Sequence, residues 1–99
     1  MDTIYDAKLL LVDDNAELLA LLYEQLLGAG YGHIRTAQSC AAARVCFAAE
    51  QPELMILDIN LPDGDGFSLL GKLRENRDVP VLFLSARDED ADRLQGLGL

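Results

Sequence analysis

Leu54-Met55-Ile56-Leu57-Asp58-Ile59-Asn60-Leu61-Pro62-Asp63-Gly64-Asp65-Gly66 is the stretch on which the fold turns. Its first four residues are apolar without a break, as a strand covered on both faces requires. The run stops on a carboxylate, Asp58, and passes into a loop rich in Pro and Gly. Strands buried on both faces belong to parallel sheets with helices above and below. The flanking sequence must therefore supply more strands, separated by helices.

It does so on both sides. Upstream, Ala42, Ala43, Cys46 and Phe47 mark a helix that Ser39 can cap and that breaks before Pro52. His33 to Ala37 reads as a weaker, amphipathic strand suited to a sheet edge. Leu18, Leu19, Leu22 and Leu26 recur at helical spacing, and Gly28 and Gly30 end that helix. Lys8-Leu9-Leu10-Leu11-Val12 is another apolar run, stopped by Asp13-Asp14-Asn15. Downstream, Phe67, Leu70 and Leu73 give a third helix its apolar stripe. Val81-Leu82-Phe83-Leu84 then runs into Ser85-Ala86, and Asp88 or Asp90 can open a last helix carrying Leu94 and Leu97. The order is βαβαβαβα with short connections, which predicts an α/β, doubly wound parallel sheet with right-handed crossovers. No repeat or internal boundary interrupts it, so residues 1–99 read as a single domain.

The hydrophobic fraction of 51 % suffices for a core, and 25 % of residues are charged. No apolar run approaches the roughly eighteen residues of a membrane span. Met1 to Asp6 lacks a basic segment ahead of an apolar one, so no signal peptide is expected and the location implied is cytoplasmic. Eight basic residues face seventeen acidic ones, for a net charge of −9. That balance argues against direct nucleic-acid binding by this segment and favours a cation or a basic partner. Cys40 and Cys46 lie six apart within a helix, a spacing that suits neither a shared metal nor a disulfide framework. They read as small thiols in a reducing compartment.

Every strand of a parallel sheet ends at the same edge. The three apolar strands therefore deliver Asp13-Asp14, Asp58 and Ser85-Ala86 to one side, where open sheets of this class bind ligands. Each like-charge pair there costs on the order of a few kcal/mol, and a divalent cation offsets that cost. Oxygen-only donors point to a hard ion, and Mg2+ uses one or two carboxylates, waters and phosphate oxygens. Asp63-Gly64-Asp65-Gly66 lacks the spacing and the terminal Glu of a calcium loop. Asp14 with Glu17 could instead form a helix capping box. Asp58 and Ser85 at matching strand ends favour a site, because capping would not require all three.

Leu11-Val12-Asp13-Asp14-Asn15, Leu57-Asp58 through Gly66, and Pro80-Val81-Leu82-Phe83-Leu84-Ser85-Ala86 together resemble the receiver domain of two-component response regulators, from Leu9 to Leu99. The resemblance implies a flavodoxin-like receiver fold with strand order 2-1-3-4, the fifth β–α unit missing. It implies that Asp58 is the phosphoacceptor for a sensor histidine kinase's phosphohistidine. Asp13, Asp14, Asp58 and the backbone carbonyl of Asn60 would hold Mg2+. Ser85 would be the switch hydroxyl, and Ala86 the small residue beside the phosphoryl group. A receiver is not an enzyme beyond self-phosphorylation and autodephosphorylation. The tail from Ser85 to Leu97 resembles receivers that precede winged-helix DNA-binding domains, which implies an output domain outside this chain and control of transcription. His33, on the second strand, reads as a surface residue. A haloacid-dehalogenase-like phosphatase wants a second Asp where this chain has Asn60.

The family's fifth strand ends in a Lys followed by a Pro. The sequence stops at Leu97-Gly98-Leu99, and Lys8 and Lys72 are its only lysines, neither placed to substitute. The expectation is a C-terminally truncated receiver with impaired phosphoryl chemistry. Its fourth strand would be an exposed edge, inviting a homodimer or strand-exchanged oligomer. The alternative reading is a receiver-like interaction module without efficient phosphoryl transfer.

Overall fold

Apolar runs and helical stripes alternate in the structure as their periodicities dictate. The computed structural model describes residues 4–84. After a single turn of 3-10 helix at Ile4–Asp6 come β1 (Lys8–Val12), α1 (Ala16–Ala29), β2 (His33–Ala37), α2 (Cys40–Glu50) and β3 (Leu54–Asp58). A short ribbon follows, β4 (Asn60–Leu61) and β5 (Gly64–Asp65), then α3 (Gly66–Arg74) and β6 (Val81–Leu84). The expected last helix, with Asp88, Asp90, Leu94 and Leu97, lies outside the described residues, as do Ser85 and Ala86.

The main sheet is parallel, in the order β2-β1-β3-β6. This is the anticipated 2-1-3-4 arrangement, because the β4–β5 ribbon is a separate antiparallel pair. That ribbon falls where the sequence reads as loop, since two-residue strands carry no periodicity to detect. Val12 pairs with both Ala37 and Leu57, and Asp58 pairs with Leu84. Continuing the β1–β3 register by one residue sets Asp13 level with Asp58. The ladder extends past the strand ends, since the Asp13 N–H donates to the Ala37 carbonyl at 3.1 Å and the Ile59 N–H to Leu84 at 3.2 Å.

Alternating side chains divide the core in two. Leu10, Val12, Met55 and Leu57 face α2 and α3, meeting Ala43, Phe47, Leu69, Leu70 and Leu73. Leu9, Leu11 and Ile34 face α1 and bury Leu19, with Leu22 and Leu26 half-buried against them. No helix among the described residues is long and apolar enough to cross a membrane.

Two local expectations need correction, and one alternative reading is set aside. Phe67 is not in the core: it is 59 % exposed and lies against Phe83, with ring centroids 4.7 Å apart. The inward face of α3 is Gly66, Leu69, Leu70 and Leu73, an i, i+3, i+4, i+7 set that leaves Phe67 on the flank. Gly28 lies inside α1, and Gly30 alone ends it, at φ +117°. The Gly30 N–H returns to Leu27 and the Tyr31 N–H to Leu26, the paired bonds of a Schellman cap. Finally, Asn15 and not Asp14 caps α1, its side chain accepting the Leu18 N–H at 3.1 Å.

Candidate functional site

Asp13 and Asp58 sit side by side because β1 and β3 are adjacent, parallel and level at their ends. Asp14 is the next residue along. Carboxylate oxygens of Asp13, Asp14 and Asp58 lie within 4.8 Å of one another, the first and last buried and Asp14 exposed. With Asn15 taking over the cap, Asp14 is not drawn into the helix terminus and stays at the cluster.

Asp13 is buried and held through one of its two oxygens. Its Oδ1 accepts the Asn15 N–H at 2.8 Å, while its buried Oδ2 has no hydrogen-bond partner among the described residues. Burial, and then the charges of Asp58 and Asp14, push its carboxyl above the usual range, against the opposing pull of the Asn15 N–H. A buried carboxylate oxygen without a donor is costly unless something positive reaches it. The donor set is oxygen only, two carboxylates buried and one open to solvent. That fits a hard divalent ion which keeps part of its water shell, as Mg2+ does.

The segment after Asp58 is fastened along its whole length. The Asn60 N–H points at Asp58 Oδ1 at 3.4 Å, a long contact, while Asn60 pairs with Asp65 and buried Leu61 with Gly64. The Gly66 N–H donates to the Ile59 carbonyl at 2.7 Å. A Cβ on Gly66 would stand 2.5 Å from the Asp58 carbonyl oxygen, so only glycine lets α3 start this close to the strand end. Asp63 reaches across to α2, its two oxygens accepting the Cys40 and Ala41 N–H groups at 2.7 and 3.0 Å. Asp65 caps α3 through the Ser68 N–H at 2.8 Å. These bonds hold both carboxyls below the usual range, and both charges are engaged at helix N-termini, where the dipole favours them.

Sequence reasoning therefore places Asp13, Asp14 and Asp58 in one neighbourhood but misses Gly66 and Asp63 as its fasteners. The Asp65-Gly66 pair is a readable signal, a capping residue followed by a residue without a side chain. Asp63 offers none, because its partners are 22 and 23 residues away. Ser85 and Ala86 lie outside the described residues. His33 is exposed and begins β2, at the sheet end opposite Asp58. Cys40 and Cys46 are free, and burial foremost pushes both thiols up, which disfavours the thiolate.

Residues 9–99 match the family model of the response regulator receiver domain. The probable transcriptional regulator ycf27 of Porphyra purpurea is 38 % identical over 90 residues, which cover 91 % of this chain and 37 % of the relative. The transcriptional regulatory protein GltR of Pseudomonas aeruginosa is 39 % identical over 94 residues, covering 92 % of this chain and 38 % of its own. The chain thus spans less than two fifths of these relatives. Among solved structures, the BeF3-activated N-terminal receiver domain of Klebsiella pneumoniae RstA superimposes with a TM-score of 0.74 at 30 % identity, covering 92 % of this chain and 77 % of that one. The MaeR response regulator bound to beryllium trifluoride gives 0.75 at 27 % identity, covering 94 % and 80 %.

Proposed function

The chain belongs to the response regulator receiver domain family, and from that premise we propose that Asp58 is its phosphoacceptor. The donor is the phosphohistidine of a sensor histidine kinase. A carboxylate oxygen of Asp58 attacks the phosphorus in line, the P–N bond to the kinase imidazole breaks, and the imidazole leaves with its electron pair and takes a proton. The product is an acyl phosphate. The chain needs no general base for this step, since the nucleophile is already an anion.

What the residues must supply is position and charge balance. Asp13, Asp14 and Asp58, with the backbone carbonyl of Asn60, would hold Mg2+. When bound, that ion neutralises the phosphoryl oxygens and the carboxylates together. Ser85 is assigned the switch hydroxyl and Ala86 the small residue beside the phosphoryl group. The consequence of phosphorylation is a conformational change read by an output domain outside this chain, and the relatives' names support transcription as the process.

The observation that carries the proposal is the convergence of three carboxylates within 4.8 Å, one with a buried oxygen that has no hydrogen-bond partner among the described residues. Its test is incubation with acetyl phosphate and Mg2+, followed by intact mass and peptide mapping. One hydroxylamine-labile phosphoryl adduct on Asp58 is expected, lost without Mg2+ and in Asp58→Asn. An adduct that survives Asp58→Asn overturns the assignment. No adduct in a folded chain, with no Mg2+-dependent response to beryllofluoride, would leave the interaction module without phosphoryl transfer as the reading.

A further inference from the structure

Away from the carboxylate cluster, a groove of about 940 Å³ runs along the seam between α2 and α3. Its wall is apolar where Val45, Phe47 and Leu73 line it, and Val45 is 71 % exposed, the most exposed of the large hydrophobic residues described. Three cations stand along it: Arg44 from α2, Lys72 from α3, and Arg77 just beyond α3. Glu75 is the one carboxylate in the lining. Towards the Asp58 edge the groove continues into a smaller hollow of about 260 Å³, which shares Ala41, Arg44 and Lys72 and ends at Asp63 and Asp65.

The cations differ in how they are held. Arg77 is fixed, with its guanidinium 5.2 Å from the Phe47 ring centroid and bonded to the Pro52 carbonyl. Arg44 and Lys72 are exposed, and neither has an ion-pair partner among the described residues. Asp63 and Asp65, the nearest carboxylates at the upper end, have their oxygens on helix N–H groups. In a chain of net charge −9, the groove itself sets Arg44, Lys72 and Arg77 against Glu75 alone, while Asp63 and Asp65 keep their charges in the adjoining hollow.

We propose that the α2–α3 groove is a docking site for an acidic, apolar-containing peptide segment of a partner protein. Charge complementarity selects the occupant: carboxylates pair with Arg44 and Lys72, and an apolar side chain covers the exposed Val45. A nucleic acid would gain the same cations but meet the repulsion of the remaining surface, and it has no use for the apolar wall. Fixed Arg77 supplies a pre-ordered contact at little entropic cost. Rim charges of this kind set association rate and partner choice, so binding should weaken as salt shortens the screening length.

The test uses the full chain and a short fluorescein-labelled peptide of Glu, Asp and Leu, with a counterpart carrying Lys at each acidic position. Fluorescence anisotropy should show binding of the acidic peptide alone, weakened on the order of tenfold in the Arg44→Glu/Lys72→Glu variant. Lys8→Glu, the same kind of charge change outside the groove, should bind as the parent does. Backbone amide shifts on titration should map to α2 and α3. Equal binding of both peptides, shifts elsewhere, or unchanged affinity in the double variant overturns the proposal. Preferential binding of an oligonucleotide does so too, as does self-association of the chain that the double variant abolishes. Arg44 and Lys72 are exposed, so the double variant should keep the parent's fold, and the dispersion of its backbone amide spectrum is the check.

Discussion

At the scale of single residues, the central fact is that Asp13 is held in a place that disfavours its charge. Its carboxyl titrates above the unfolded value of 3.8, because burial and two neighbouring carboxylates penalise ionisation. The folded chain therefore binds more protons than the unfolded one in that window. The contribution is most favourable below 3.8 and is lost as pH rises through the raised folded value. Asp63 and Asp65 behave oppositely, since their lowered carboxyls stabilise the fold above 3.8 and cease to do so as pH falls through their folded values. Without divalent ions, Asp13→Asn should raise the melting temperature at pH 7, and the gain should shrink as pH is lowered towards about 4. Free Mg2+ at about ten times its Kd should stabilise the parent by about 1.4 kcal/mol, and Asp13→Asn should lose most of that response. Calorimetry across pH and Mg2+ checks both, and an equal Mg2+ response in Asp13→Asn would remove Asp13 from the metal site. The three aspartates were legible because each follows an apolar run, and parallel strands end together. Asp63 was not, because a bond made across the fold leaves no trace in local spacing.

At the scale of elements, glycines separate tight junctions from open ones. Gly66 begins α3 against the Asp58 carbonyl, and a methyl group there forces the helix start or the strand end to move. Gly66→Ala is expected to cost about 1–3 kcal/mol in urea unfolding. It should also lower the yield of the Asp58 phosphoryl adduct, because the displaced atoms belong to Asp58 itself. Gly71 lies mid-helix, and a Cβ there would meet nothing within 4 Å. Gly71→Ala should therefore stabilise by about 0.5–1 kcal/mol while leaving the adduct yield unchanged. If both variants shift stability the same way, the distinction between the two junctions is wrong. The contrast also shows what periodicity can reveal. The continuous apolar runs locate the strands to within a residue, although β6 has no fully buried residue and its Leu82 is half-exposed. The phase of α3 is misleading because Phe67 is apolar enough to count as core, yet it sits about 100° around the helix from Gly66. The ribbon after Asp58 is too short to show any period.

At the scale of the whole molecule, the described residues close the two faces of the sheet unequally. The face under α2 and α3 contains Leu10, Met55 and Leu57 without measurable exposure. The face under α1 has Leu22, Leu26, Leu54 and Ile56 only partly buried. The closed face belongs to the same central strands, β1 and β3, that carry Asp13 and Asp58 at their ends, so the site rests on the most tightly packed part of the fold. Rigid support of this kind is what a charge cluster of fixed geometry requires. Leu10→Ala should consequently cost about 2–5 kcal/mol, as large-to-small changes in closed cores do. Leu22→Ala, on the open face, should cost about 1 kcal/mol. Hydrogen exchange should rank the strands the same way: amides of β1 and β3 exchange only on global unfolding, and those of β6, at the edge of the described sheet, exchange earlier. Equal costs for the two leucine variants, with β6 as protected as β1, would mean that α1 closes its face in solution as fully as α2 and α3 close theirs. The carboxylates would then stand on a uniformly packed domain, not on its more closed side.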